Sequence, residues 1–158
     1  MKINRIGLIA FILIILFSLN AYALDTTLLD MRNKIFKESK EIKALLTRSK
    51  DVFLINSMWD SCVLTMAQLD AYFSMLGIFN TIRNDCLSPT AVDYLSDWLK
   101  EIKQSNDLNV KSLNSFMMTI EPETKGYVDA LKDYYNDLNA RIDKELNKLT
   151  LYKKTFRR

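Results

Sequence analysis

The sequence predicts an all-α protein, an elongated up-down-up-down helical bundle with a long C-terminal heptad helix. Three observations predict it. Backbone punctuation is scarce: the 158 residues contain 3 glycines and 2 prolines, far below the usual usage of about 7% and 5%, and sheets need turn residues at every reversal. Apolar residues recur at three- and four-residue steps, the spacing of one helix face. The resulting segments are long and joined by short links, as in antiparallel bundles.

The chain opens MKINRIGLIAFILIILFSLNAYALD. Lys2 and Arg5 precede an apolar run from Ile6 to Phe17, followed by the small-residue pattern Ala21, Tyr22, Ala23. That order marks a secretory signal peptide cleaved after Ala23, because a run of about 12 residues falls short of the roughly 20 needed to span a bilayer. Residues 24–158 are then a single helical domain in the periplasm or outside the cell. Loss of Lys2 and Arg5 lowers Lys plus Arg from 22 to 20 against 19 Asp plus Glu, a net of +1. Such a balance excludes the strongly basic surface of nonspecific nucleic-acid binding.

In the first segment Leu28, Met31, Ile35, Ile42 and Leu45 form the apolar side, with Lys34, Lys37, Lys40 and Lys43 between them. A polar cluster, Thr47 to Asp51, separates it from the second, although no Gly or Pro forces a break there and one long helix is the alternative. The second carries Ile55, Trp59, Cys62, Met66, Leu69, Phe73 and Leu76 on one stripe. Ser88 followed by Pro89 is a strong start signal for the third, a capping hydroxyl before a residue whose missing N–H costs nothing at the first helical position. Ala91, Leu95, Trp98 and Ile102 line its apolar side, Gln104 to Asp107 interrupt it, and Val110 to Ile120 read as a shorter continuation. The last segment, from about Thr124, carries Val128, Leu131, Tyr135, Leu138, Ile142, Leu149, Tyr152 and Phe156 in heptad spacing, broken by Glu145.

Cys62 and Cys86 are the only cysteines. In an exported protein such a pair is expected to form a disulfide. One straight helix would hold their α-carbons about 36 Å apart, whereas the bond needs roughly 4.4 to 6.8 Å. The bond therefore requires a chain reversal, for which Gly77 is the natural place. The apolar phase through Leu76, Phe79 and Ile82 points the other way, to an unbroken helix.

Absences narrow the chemistry. The chain has no histidine, which removes the commonest general base and metal ligand and every His-dependent motif. No Walker loop, GxSxG or GxGxxG occurs. Carboxylates alone would have to carry catalysis. Asp129, Asp133 and Asp137 read as a solvated row on one face, and Asp60 and Asp70 as the polar edge of the second segment. Met31, Met58, Met66, Met75, Met117 and Met118 offer soft ligands for Cu(I) but serve more ordinarily as adaptable core. No catalytic residue, metal or cofactor is expected.

Charge is uneven: residues 24–50 carry seven basic and four acidic side chains, 51–88 one and four, 89–123 three and six, and 124–158 nine and five. With the first and last helices adjacent, one side of the bundle is basic and the other acidic. Lys153, Lys154, Arg157 and Arg158 form a basic end suited to an acidic partner or anionic lipid headgroups. Met58, Trp59, Met66, Phe73 and Met75 form a candidate partner-binding apolar surface. The expectation is a noncatalytic exported protein of chaperone, inhibitor or immunity type that binds another protein, or else a structural subunit of an envelope or secretion assembly that self-associates through its terminal helices.

Overall fold

A computed structural model describes residues 27–82, 87–116 and 120–155. The expected signal peptide, Cys86, Met117, Met118, Phe156, Arg157 and Arg158 lie outside them. Among the described residues the chain forms four helices and no strand. We number them α1 (27–45), α2 (Val52–Ile82), α3 (Pro89–Ser115) and α4 (Pro122–Thr155).

Side chains that bridge the helices establish the topology. Arg32 reaches Asp70 and Lys43 lies over the Trp59 ring, so α1 and α2 run antiparallel. The Trp98 indole N–H donates to the Gln68 carbonyl across α2 and α3. Lys103 meets Asp143 and Lys153 meets Asp93 across α3 and α4. Tyr134 of α4 donates its hydroxyl to the Met31 carbonyl of α1 at 3.0 Å, which closes the ring. The arrangement is the predicted up-down-up-down bundle.

Local chemistry sets the ends. α1 and α2 do separate at the polar cluster: Arg48 and Ser49 N–H groups fold back onto the Leu45 carbonyl, and the Asp51 carbonyl accepts the first bond of α2 from Ile55. Ser88 caps α3 through its hydroxyl, which accepts from Ala91 N–H at 3.1 Å, with Pro89 at the first helical position. The start of α4 is tied to the α1–α2 turn, because Glu121 N–H donates to Asp51 while the Glu121 carboxylate accepts from Ser49 at 2.8 Å. Thr124 adds a hydroxyl contact to Ser49 at 3.1 Å.

Two expectations fail for identifiable reasons. α3 does not break at Gln104 to Asp107 but continues to Ser115. Its buried Asn106 amide donates to the Asn139 side-chain oxygen at 2.9 Å, and Asn139 in turn donates to Asp107 at 2.8 Å. Two of the polar residues that look like a loop in sequence, Asn106 and Asp107, are tied to Asn139 in the α3/α4 seam, with the Asn106 side-chain oxygen left buried and unpaired. The chain also does not reverse at Gly77, which lies inside the 31-residue α2. A Cβ at that position would meet no atom within 4 Å, so glycine is not required there for packing.

The second failure bears on the expected disulfide, whose Cys86 lies outside the described residues. Cys62 is a free thiol, fully buried in the core. Between Cys62 and Ile82 the helix climbs about 30 Å, and the stretch from Ile82 to Cys86 spans at most about 14 Å. A Cys62–Cys86 bond within one chain does not fit this helix.

The heptad seam of α4 is buried from Val128 through Leu138 and Ile142 to Leu149. Its interruption, Glu145, is buried as well and holds Lys148 at 3.1 Å. Asn139→Leu should cost about 1 to 3 kcal/mol, because it strands the buried Asn106 amide and removes the donor to Asp107. Asn106→Leu with Asn139→Leu should lose less than the sum of the two single changes. Urea denaturation of all four proteins measures that coupling.

Candidate interaction surface

α2 has only a thin polar edge, Asn56, Asp60, Asp70 and Ser74. Its inward stripe, including Ile55, Met58, Cys62, Thr65, Leu69, Tyr72 and Leu76, is buried. Its outward stripe is also mostly apolar or small: Phe53 is 77% exposed, Leu64 51% and Ile78 56%, with Ala67, Ala71 and Ser74 between the last two. A helix apolar on all sides is ordinarily covered on all sides. By length and composition Val52–Phe79 would also cross a bilayer, a property shared by core helices of bundles.

Two carboxylates sit on this face. Asp70 is gripped by the Arg32 guanidinium with both oxygens at 2.9 Å, and Asp60 is exposed. Neither is buried, so both occupy the polar edge expected of them. On the α1 side the border is cationic and aromatic: Lys40 lies 4.1 Å and Arg32 5.5 Å from the centre of the Phe36 ring, and Lys43 lies 4.5 Å above Trp59. On the α3 side Tyr94, 54% exposed, meets Phe79 edge to face at 6.2 Å.

The residues singled out in the sequence fall mainly on the other side of the helix. Met58 is buried, while Trp59, Met66, Phe73 and Met75 are partly buried and packed against the core. The apolar surface of α2 that remains open is Val52, Phe53, Val63, Leu64 and Ile78, which periodicity alone passed over. The available signal was the pair Val63–Leu64 directly after Cys62: if Cys62 faces inward, adjacent positions must turn out. At the basic end Lys153 is engaged by Asp93 and Lys154 is exposed.

Other polar features resolve into structure. Asp129 and Asp137 pair with Lys132 and Arg141 on the α4 surface. Among the described residues no group of acidic or cysteine side chains is arranged to hold a metal. A pocket of about 250 Å³ opens at the end where the α1–α2 and α3–α4 links meet, walled by Val52, Phe53, Leu54, Phe116 and Ile120 with Lys50 and Asp51 at its edge.

The most perturbed groups form one internal cluster. Burial, with a lesser contribution from Glu38, pushes the Cys62 thiol up to about 12 from its ordinary 9.0. Burial likewise raises Tyr134 and Tyr135, with Cys62 adding to both. Tyr135 donates to the Ser61 hydroxyl at 2.9 Å. A thiol held protonated inside a core is inert as a nucleophile, so this cluster is packing.

No protein-family model matches the chain, and comparison with curated proteins and with solved structures finds no match to either.

The cluster carries a pH dependence with a definite sign. The folded state keeps Cys62 neutral above the pH at which the unfolded thiol ionises. Its contribution is therefore full below about pH 9 and is lost as pH rises from 9 toward about 12. Cys62→Ala should flatten the decline of urea midpoint over that interval. Cys62 in the native protein should also resist thiol alkylation at pH 8 and react on unfolding, read by peptide mass mapping of that position.

Proposed function

We propose that this chain is a noncatalytic protein of the periplasm or extracellular space that binds another protein through the outward face of α2, as chaperones, inhibitors and immunity proteins do. One observation carries the reading: the outward side of α2 leaves Phe53, Val63, Leu64 and Ile78 exposed, with only Asn56, Asp60, Asp70 and Ser74 as exposed polar side chains among them and Asp70 already held by Arg32. Exposed apolar surface that is continuous rather than scattered is characteristic of binding sites. The absence of histidine supports a role without acid–base chemistry, and the leader-like first 23 residues support export.

Self-association through heptads of the terminal helices is less well supported. The apolar seams of α1 and α4, from Leu28 to Leu45 and from Val128 to Leu149, are already buried in the bundle's own core.

A photoreactive amino acid placed at Leu64 should give a discrete cross-linked adduct in cells, whereas one at exposed Lys144 on α4 should not. Leu64→Glu should keep the thermal midpoint within a few degrees and abolish partner capture. Equal labelling from both positions, or none from Leu64, would remove α2 as the binding face. Intact mass of the exported protein should show the loss of residues 1–23.

A further inference from the structure

We infer that the occupant of the α2 face is a second copy of this chain, seated by the outer ridge of its α3; the inference rests on the reading of that face as a binding surface and names the partner. The exposed ridge of α3 is itself apolar and acidic: Tyr94 is 54% and Leu108 58% exposed, and Asp97 and Glu101 are exposed between them. The receiving face carries a matching pair of apolar residues, its own Asp70 is neutralised by Arg32, and Asp60 lies one turn before Leu64, outside the span from Leu64 to Ile78. Leu64 and Ile78 are separated by the same two heptads as Tyr94 and Leu108, about 21 Å along either helix. The small residues Ala67 and Ala71 lie between Leu64 and Ile78, and the cations Arg32 and Lys40 stand alongside on α1.

Charge selects the orientation. With the second copy's α3 parallel to α2, Tyr94 lies over Leu64 and Leu108 over Ile78. Asp97 then comes level with Ala67, between Arg32 and Lys40, and Glu101 comes level with Ala71 beside Arg32. With the ridge reversed, Asp97 moves toward Met75, away from Lys40. Lys40 has no carboxylate partner among the described salt bridges and rests on the Phe36 ring instead, so an incoming carboxylate displaces no ion pair. The Asp97 partner within its own chain, Lys100, is a highly exposed neighbour one turn away, a contact of small worth.

The two patches are different surfaces of one molecule. Each seated copy still presents its own α2 face and its own α3 ridge, so the contact is heterologous and grows rather than closing at a dimer.

Sedimentation equilibrium of the exported protein tests this. At about 0.02 M salt the weight-average mass should rise with concentration past that of a dimer, and it should fall as salt is raised to about 0.5 M and the charges are screened. Lys40→Glu and Asp97→Lys should each weaken association about ten-fold or more, and the double variant should recover it. Circular dichroism melts of all three variants should match the parent, since both positions are exposed. A monomer at every concentration, a mass that stops at twice the monomer, or a double variant no better than the singles would overturn the inference. If the protein stays monomeric while position 64 cross-links to a different protein, the second copy is excluded and the α2 binding face stands. If position 64 gives no adduct, both fall.

Discussion

In a bundle of four rods each helix turns one side toward the centre, and α2 has large apolar residues on both its inward and its outward side, with only a thin polar edge at Asn56, Asp60 and Asp70. That mismatch governs the molecule. The stripe that enters the core is decided by the neighbours: α1 offers Arg32 to Asp70 and Lys43 to Trp59, and α3 offers the Trp98 indole to the Gln68 carbonyl. These contacts fix the rotation of α2 about its own axis. Once it is fixed, Cys62 and Met58 point inward and Leu64 and Ile78 are left on the surface. Burial supplies the bulk of the stabilisation, but directional contacts at the edges of α2 choose which of two similar stripes is buried.

The architecture was legible because it depends on what the chain lacks. Two glycines and two prolines after residue 23 leave few ways to turn, and strongly amphipathic α3 and α4 announce their buried sides. The Ser88–Pro89 start and the heptads from Val128 onward are local, self-sufficient signals. α2 was legible in extent but not in phase, since a 3.6-residue period carries no phase information when both phases are apolar. Met58, Trp59, Met66, Phe73 and Met75 therefore read both as core and as a candidate surface; in the fold Met58 is buried and the other four are partly buried against the core. Gly77 misled in the opposite sense: glycine permits a reversal but does not compel one inside an apolar helix.

Asn106 and Asn139 show a second limit of sequence reading. A polar run such as Gln104–Asp107 marks a break only if its amides have no partners in the fold, and the partner here is 33 residues away. The geometry is ordered from outside inward. Asp107 is acceptor-only, so Asn139 must present its amide N–H to it and its oxygen to Asn106. One surface carboxylate thus orients two side chains in the α3/α4 seam, and sliding α4 by a turn would set Asn106 toward buried Tyr135 or Ile142.

The uneven distribution of charge along the chain explains the different chemistry of the four seams. α1 and α4 are the basic helices, α2 and α3 the acidic ones. Where a basic helix adjoins an acidic one, the described ion pairs between helices occur: Arg32–Asp70 between α1 and α2, Lys103–Asp143 and Lys153–Asp93 between α3 and α4. Where like meets like, neutral or aromatic contacts take over. The α1/α4 seam is joined by Tyr134 to the Met31 carbonyl, Ser49 to Thr124, and Lys34 over the Tyr134 ring. The α2/α3 seam is joined by Trp98 to the Gln68 carbonyl and by the Phe79–Tyr94 edge contact. Like-charged neighbours cannot contribute favourable Coulomb energy across their seam, so aromatic residues and hydroxyls do the joining there. Acidic charge of α3, Asp97 on its exposed partner Lys100 and Glu101 beside it, is left on the outer side between Tyr94 and Leu108, and Lys40 of α1 remains beside α2. A bundle that sorts its charge by helix pair keeps its internal seams stable and leaves complementary surfaces facing outward.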